Sequence, residues 1–281
     1  MFLRTAAFIA VFLATCIAPA LATDPPATVR VYTLECGRIE FADLGMFSDT
    51  GEYDGQAGAL AESCFLIRHP KGDLLWDAGL GDHFAATPGG AEVRPGVRAI
   101  VETPLLAQLE RIGVTPADIE FLSFSHFHWD HTGNANAYTD ATWLLSRREL
   151  EALEGSPLPP GVKPETLSGR KQAKVELLDL DHDVFGDGTV KILRAHGHTP
   201  GHQVLQLQLA QAGTVILSGD LFHTRENFEQ NRMPDFNDSR GETLASMDRI
   251  KRILQNTSGR LVIQHEPRDI EAMPRIPAYL D

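Results

Sequence analysis

The stretch His126-Phe127-His128-Trp129-Asp130-His131 constrains this chain more than any other, because it crowds three imidazoles and a carboxylate into six residues. It follows the apolar run Ile119 to Ser125, whose β-branched and aromatic content and short length predict a buried strand. Alternate residues of an extended segment share a face, so His126 and His128 can reach one cation, while Asp130 and His131, past the bend, can reach a second. Neutral imidazole and carboxylate are the donors that suit zinc and its divalent neighbours.

A histidine-rich surface loop would show the same local composition, but the downstream chain argues against it. Gly197-His198-Thr199-Pro200-Gly201-His202 supplies further imidazoles in a tight Gly/Pro turn, the apolar run Thr214 to Gly219 ends on Asp220, and Leu261 to Gln264 ends on His265. Each group lies just past a predicted strand, where loops on a rigid sheet carry chemistry.

These residues, in this order, resemble the metallo-β-lactamase superfamily, whose signature is His-x-His-x-Asp-His followed by a lone His, a lone Asp and a last His. The resemblance implies an α+β fold of four layers (αββα), two mixed β-sheets sandwiched between helices. It further implies two divalent metal ions, Zn2+ by preference. His126, His128 and His202 would hold the first, Asp130, His131 and His265 the second, and Asp220 would bridge them. Asp77, after the run Leu74 to Trp76, looks like the family's early strand-end Asp, a partner of a ligand histidine. In that frame His196 and His198 serve as hydrogen-bonding loop residues rather than ligands, and His69, His83 and His182 as solvated or structural ones.

Met1 to Arg4, the apolar core Thr5 to Ile17 and Ala20-Leu21-Ala22 predict a signal peptide over residues 1–22, with a hydrolase domain over 23–281. The apolar core is too short for a stable membrane span. Thr15 before Cys16 departs from the lipoprotein pattern, so the expectation is a freely periplasmic or secreted protein. The net charge of −13 repels phosphate backbones, which weighs against a nucleic-acid partner. Cys36 and Cys64 lie in no motif. They read more simply as buried small hydrophobes than as a disulfide, although export would permit one.

Val29 to Cys36, Cys64 to His69 and Asp73 to Asp77 predict three early strands. The intervening segment Phe41 to Leu60 is long enough to be functional, and suits a lid over the site, a plain surface loop or a contact between two copies of the chain. Thr103-Pro104 predicts a helix start and Gly113 its stop. Thr142 to Ser146 reads as a strand and Ser146 to Glu149 as a capping box. Gly155 to Gly169, with four prolines, has no evident role. Val175 to Leu180, Thr189 to Arg194, Val204 to Leu209 and Thr214 to Gly219 form a second series of strands, and Thr243 to Leu254 an amphipathic helix through Leu244, Met247, Ile250 and Leu254.

Two ions sharing Asp220 would activate a water between them, and Asp130 could move its proton, so the implied reaction is metal-assisted hydrolysis. An Asp at 220, where β-lactamase branches usually place Cys or Ser, argues against antibiotic hydrolysis. Thr199 to Gln203 and Ser218 to Asp220 most resemble the N-acyl homoserine lactonases, which implies opening of a lactone ring beside an apolar groove lined by Met46, Phe47, Phe222 and Phe236. His223 stands where those lactonases commonly carry a substrate-contacting Tyr, giving it a catalytic assignment beside Asp130. The alternative is an organophosphate or aryl-ester hydrolase on the same dinuclear site.

Overall fold

The computed structural model describes residues 26–281, so the leader expected over 1–22 lies outside the described residues. In chain order the strands are β1 (Arg30–Phe41), β2 (Gly58–His69), β3 (Gly72–Trp76), β4 (Ala91–Arg94), β5 (Val97–Ile100), β6 (Ile119–Ser123), β7 (Thr142–Ser146), β8 (Lys174–Leu178), β9 (His182–Asp183), β10 (Val190–Arg194), β11 (Gln203–Leu209), β12 (Gly213–Leu217) and β13 (Arg260–Val262). The helices are α1 (Leu105–Arg111), α2 (Trp129–Thr132), α3 (Arg147–Glu154), α4 (Arg225–Gln230), α5 (Arg240–Thr257) and α6 (Pro267–Glu271).

The strands form an eight-stranded sheet, β4-β5-β1-β2-β3-β6-β7-β8, and a five-stranded sheet, β13-β12-β11-β10-β9. Both are mixed: β3, β6, β7 and β8 run parallel to one another in the first and β12 to β13 in the second, and the remaining pairs are antiparallel. Alternation along β2 shows why they stack. Phe65 and Ile67 join Trp76, Leu205, Leu207, Val215 and Leu217 in the core between the sheets. Cys64 and Leu66 face the other way, into a core shared with Leu105 and Leu109 of α1 and Leu153 of α3. On the far side Met247, Ile250 and Leu254 of α5 cover Val204, Ile216 and Leu261. The layers are therefore helix, sheet, sheet, helix, as the resemblance implies.

Several local expectations are corrected. β1 and β2 are longer than the apolar runs alone suggested and extend to Phe41 and back to Gly58 as a paired ribbon. α1 begins one residue later than a Thr103 cap would give, and its first amides are capped from outside: Leu105 N donates to Asp82 Oδ1 at 2.7 Å and Leu106 N to Asp82 Oδ2 at 3.3 Å. Gly113, in the left-handed region, stops that helix as expected. Leu244 lies 38% exposed at the margin of the α5 apolar face. The capping box at Ser146 does not form, because Glu149 turns to the candidate site instead. Cys36 and Cys64 are joined in a disulfide, not left as separate small hydrophobes. Cys36 is the bulged residue of β1, between the pairs Glu35 with Ser63 and Gly37 with Glu62, and the bulge brings its sulfur to Cys64. No helix among the described residues is long and apolar enough to cross a membrane.

The external cap on α1 yields a stability prediction. Asp82→Ala should cost about 1–2 kcal/mol, read as a lower urea midpoint with unchanged slope. An unchanged midpoint would show that water caps α1 equally well.

Candidate metal centre

β6 ends at Ser123, the chain bends at Ser125, and after the extended His128 it turns into the single helical turn α2 that carries Asp130 and His131. His126 and His128 lie before α2 with ring centroids 4.4 Å apart, and His131 within it, 4.3 Å from His126. The Ser218 to Leu221 turn following β12 brings Asp220, and the end of β13 brings His265. Gly219 is required immediately before Asp220: its φ is +49°, and a Cβ there would lie 2.6 Å from Ser125 Cβ and 2.7 Å from His202 Nε2.

Imidazoles converge on the two oxygens of Asp220 from opposite sides. His198, His126 and His223 present Nε2 to Oδ2 at 3.4, 3.6 and 3.2 Å. His131 and His265 present Nε2 to Oδ1 at 2.9 and 2.8 Å. Burial penalises the Asp220 carboxylate, but His265, His131, His126 and His223 together hold it well below the usual range. Burial keeps His126 and His128 neutral, leaving lone pairs for ligation.

Three groups of donors follow, each with its ligand atoms within 4.8 Å of one another: His126, His128, His198 and Asp220; Glu62, Asp130, His131 and His265; and, overlapping both sides of the shared carboxylate, Asp220, His223 and His265. The buried His126 Nε2, His131 Nε2, Asp220 Oδ1 and Glu62 Oε1 have no aligned hydrogen-bond partner. Buried polar atoms are normally satisfied, so orphans concentrated among imidazoles and carboxylates fit a pair of cations between them.

The surrounding shell fixes which ring nitrogen is free. His131 Nδ1 faces Asp77 Oδ2 at 3.1 Å and His265 Nδ1 donates to Ala61 O at 2.8 Å, which turns both Nε2 atoms inward. Asp77 thus occupies the role the sequence suggested. Its Oδ1 accepts from Ser125 N at 2.7 Å and its Oδ2 from Gln264 Nε2 at 2.8 Å.

His202 departs from the sequence reading. Its Nδ1 donates to Ala195 O at 3.0 Å, and its Nε2 accepts from the Asp220 backbone N–H at 2.9 Å. Both nitrogens are occupied, no lone pair remains for a cation, and His198 four residues earlier takes its place in the donor group. His202 instead holds the Asp220 backbone.

Three further residues were not singled out in the sequence. Glu62 sits on β2 with its side chain 2% exposed, and burial pushes its carboxyl up to about 7. Glu149 accepts from Phe127 N at 3.1 Å and Gly201 N at 2.7 Å, tying the two histidine loops together. Gln264 accepts from Trp76 Nε1 at 3.0 Å and Gly219 N at 2.9 Å while donating to Asp77. Only the position of Gln264, next to His265, offered a sequence signal.

The centre forms the floor of a cavity of about 550 Å3. Met46, Phe47 and Phe236 line it as expected, with Trp129 and with Pro159 to Gly161 of the proline-rich excursion. Phe222 does not; it is 1% exposed in the core beneath α5. His223 does, with its Nδ1 unpartnered, its ring parallel to that of His265 at 5.4 Å and Phe47 5.0 Å away.

The metallo-beta-lactamase superfamily model matches residues 57–265, from β2 to the last histidine of the centre. The chain belongs to that superfamily. It is a metal-dependent hydrolase, and N-acyl homoserine lactonases are among the proteins it is similar to. The lactonase AttM of Azorhizobium caulinodans is 28% identical over 273 residues, covering 90% of this chain and 99% of AttM. A solved N-acyl homoserine lactone hydrolase, with N-hexanoyl-L-homoserine bound at its catalytic metal center, superposes with a TM-score of 0.78 at 25% identity, covering 89% of this chain and 98% of that one. A Bacillus thuringiensis AiiA variant with N-decanoyl-L-homoserine at its active site gives 0.77 at 25%, with the same coverages.

The contrast between His198 and His202 can be measured. His198→Ala should lose one equivalent of bound metal on dialysis and at least about 10³-fold in turnover, as expected for a vacated ligand position, whereas His202→Ala should keep both equivalents with affinity weakened about 10–100-fold. Metal analysis showing the reverse pattern would restore His202 as the ligand.

Proposed function

We propose that this chain opens the lactone ring of N-acyl homoserine lactones using two divalent cations, Zn2+ by donor preference, with Asp220 shared between them. The observation that carries this reading is the arrangement of Asp220: a buried carboxylate with imidazoles on both oxygens, at the floor of a cavity walled by Met46, Phe47, Trp129 and Phe236. The lactonase relatives, similar over nearly the whole chain, supply the substrate class. His126, His128 and His198 with Asp220 would hold the first cation, and Asp130, His131 and His265 with Asp220 the second.

The cations, when bound, supply Lewis acidity and lower the pKa of a shared water. Asp130, which also lines the cavity, then takes the attacking water's proton and returns it to the ring oxygen as the C–O bond breaks. His223 is held neutral by burial, its pKa lowered to about 4, and the Asp220 carboxylate accepts from its Nε2–H. That tautomer leaves Nδ1 as an acceptor, suited to a substrate amide N–H rather than to the lactone carbonyl. The apolar wall would bury the acyl chain at about 0.8 kcal/mol per methylene.

The test is turnover of short- and long-chain acyl homoserine lactones beside phosphotriesters, aryl esters and a β-lactam. Expected is ring opening with kcat/KM above about 10⁴ M⁻¹s⁻¹, abolished by chelation and far exceeding the other classes. Inert lactones with rapid phosphotriester or aryl-ester cleavage would move the assignment to the alternative hydrolase. His223→Phe should reduce lactone turnover about 10-fold or more with metal content intact, as for loss of one contact to substrate; unchanged kinetics would leave His223 a packing residue.

We further infer that the enzyme acts after export. The A-x-A site at Ala20 to Ala22 and the Cys36–Cys64 disulfide both support an oxidising compartment. Recovery of uncleaved protein in the cytoplasm of the producing cell would overturn this.

A further inference from the structure

Glu62 is a buried carboxylate that stands in the second donor group but has no part in the ligand assignment given above for the two cations. Its side chain is 2% exposed, and it lies on β2 opposite the β1 bulge, two residues before the cystine at Cys64. Bulges next to active sites commonly re-aim a side chain, and this one is fixed covalently at its base. No Lys or Arg pairs with Glu62 among the described residues. Among the described residues its ion-pair partner is His265 Nδ1, 3.0 Å from Oε1, and that nitrogen's proton is already aligned on Ala61 O at 2.8 Å. Oε1 is left without an aligned partner, and the residue lines the cavity over the centre.

A desolvated carboxylate with an unmatched oxygen is costly unless a cation is nearby. Glu62, Asp130, His131 and His265 each place a ligand atom within 4.8 Å of the other three. We propose that Glu62 is an additional ligand of the second cation, making that site richer in carboxylate than the first. The proposal rests on the two-cation reading of the centre. The first site would draw on three imidazoles and Asp220, a nitrogen-rich set; the second would draw on Glu62, Asp130 and the shared Asp220 with two imidazoles. Oxygen-rich sites of higher ligand number accommodate manganese and iron more readily than four-coordinate zinc sites do. The two sites would therefore differ in metal preference, the second accepting Mn2+ where the first selects Zn2+.

The experiment titrates full-length wild type, E62Q and E62D against buffered free Zn2+ and Mn2+, with bound metal counted by elemental analysis. Gln keeps the size of Glu and an oxygen that can face His265, but not the charge; Asp keeps the charge on a shorter arm. Expected is two equivalents for wild type, with the second site weakened about 10–100-fold in E62Q, less in E62D, and the first site unchanged in both. An E62Q protein that holds its second cation as tightly as wild type, or one that binds better than E62D, would assign Glu62 to packing and overturn the proposal. Fewer than two equivalents in wild type would instead overturn the two-cation reading itself.

Discussion

The interaction on which the rest of the structure depends is the partition of the Asp220 carboxylate, with Oδ2 facing His126, His198 and His223 and Oδ1 facing His131 and His265. A single buried charge with imidazoles on both sides is unstable to small displacements, since moving it toward one set abandons the other. The protein therefore restrains the backbone that carries it. His202 accepts the Asp220 N–H, Gly219 permits the left-handed turn that no larger residue would fit, and Gln264 accepts the Gly219 N–H.

These restraints belong to one network that crosses between the sheets. Gln264 follows β13 of the small sheet, yet it hydrogen-bonds Trp76 and Asp77 at the end of β3 in the large one. Asp77 passes the connection to Ser125 and His131, and Glu149 closes it from the other side by binding Phe127 and Gly201. Each link is buried, where an unmet donor or acceptor costs about 1–3 kcal/mol, so the shell resists rearrangement as a unit. The apolar core between the sheets sets their separation, and this polar seam sets their register at the catalytic end.

Much of this was legible in the sequence because chemistry and periodicity coincide there. The His126 to His131 motif, the strand-end Asp220 and His265, and the Asp77 partner all sit where an apolar run stops, a signal a linear reading can follow. His198 and His202 were not separable in that way. Both are histidines in one Gly/Pro turn, and the distinction lies in whether a lone pair remains after hydrogen bonding, which depends on Ala195 O at the start of the same connection and on Asp220 N from another segment. Glu62 and Glu149 were hidden for a related reason: a carboxylate in a strand carries no burial signal, and one at a helix start reads as a capping residue, until tertiary packing turns it inward. Cys36 became a disulfide partner through a bulge, a register feature visible only once β1 and β2 are paired.

The cavity divides labour along the chain in a way that bears on substrate choice. Its floor is built from the strand ends and the buried seam, whereas part of its wall comes from connecting segments, namely the Met46 and Phe47 segment, the Pro159 to Gly161 excursion and the stretch around Phe236, beside Phe41, Leu60, Val93 and Val97 from the strands and Trp129 from α2. Connections tolerate replacement far better than a hydrogen-bonded core does, so wall residues can change without disturbing ligand geometry. His223 and Glu62 are the exceptions, because each touches both regions: a ring stacked on His265 that also meets Phe47, and a carboxylate against His265 that also faces the cavity. Substitutions at these two positions would couple metal affinity to substrate selection, and so would changes at Phe236, whose ring meets His198 and His223, whereas changes at Met46 would act on the wall.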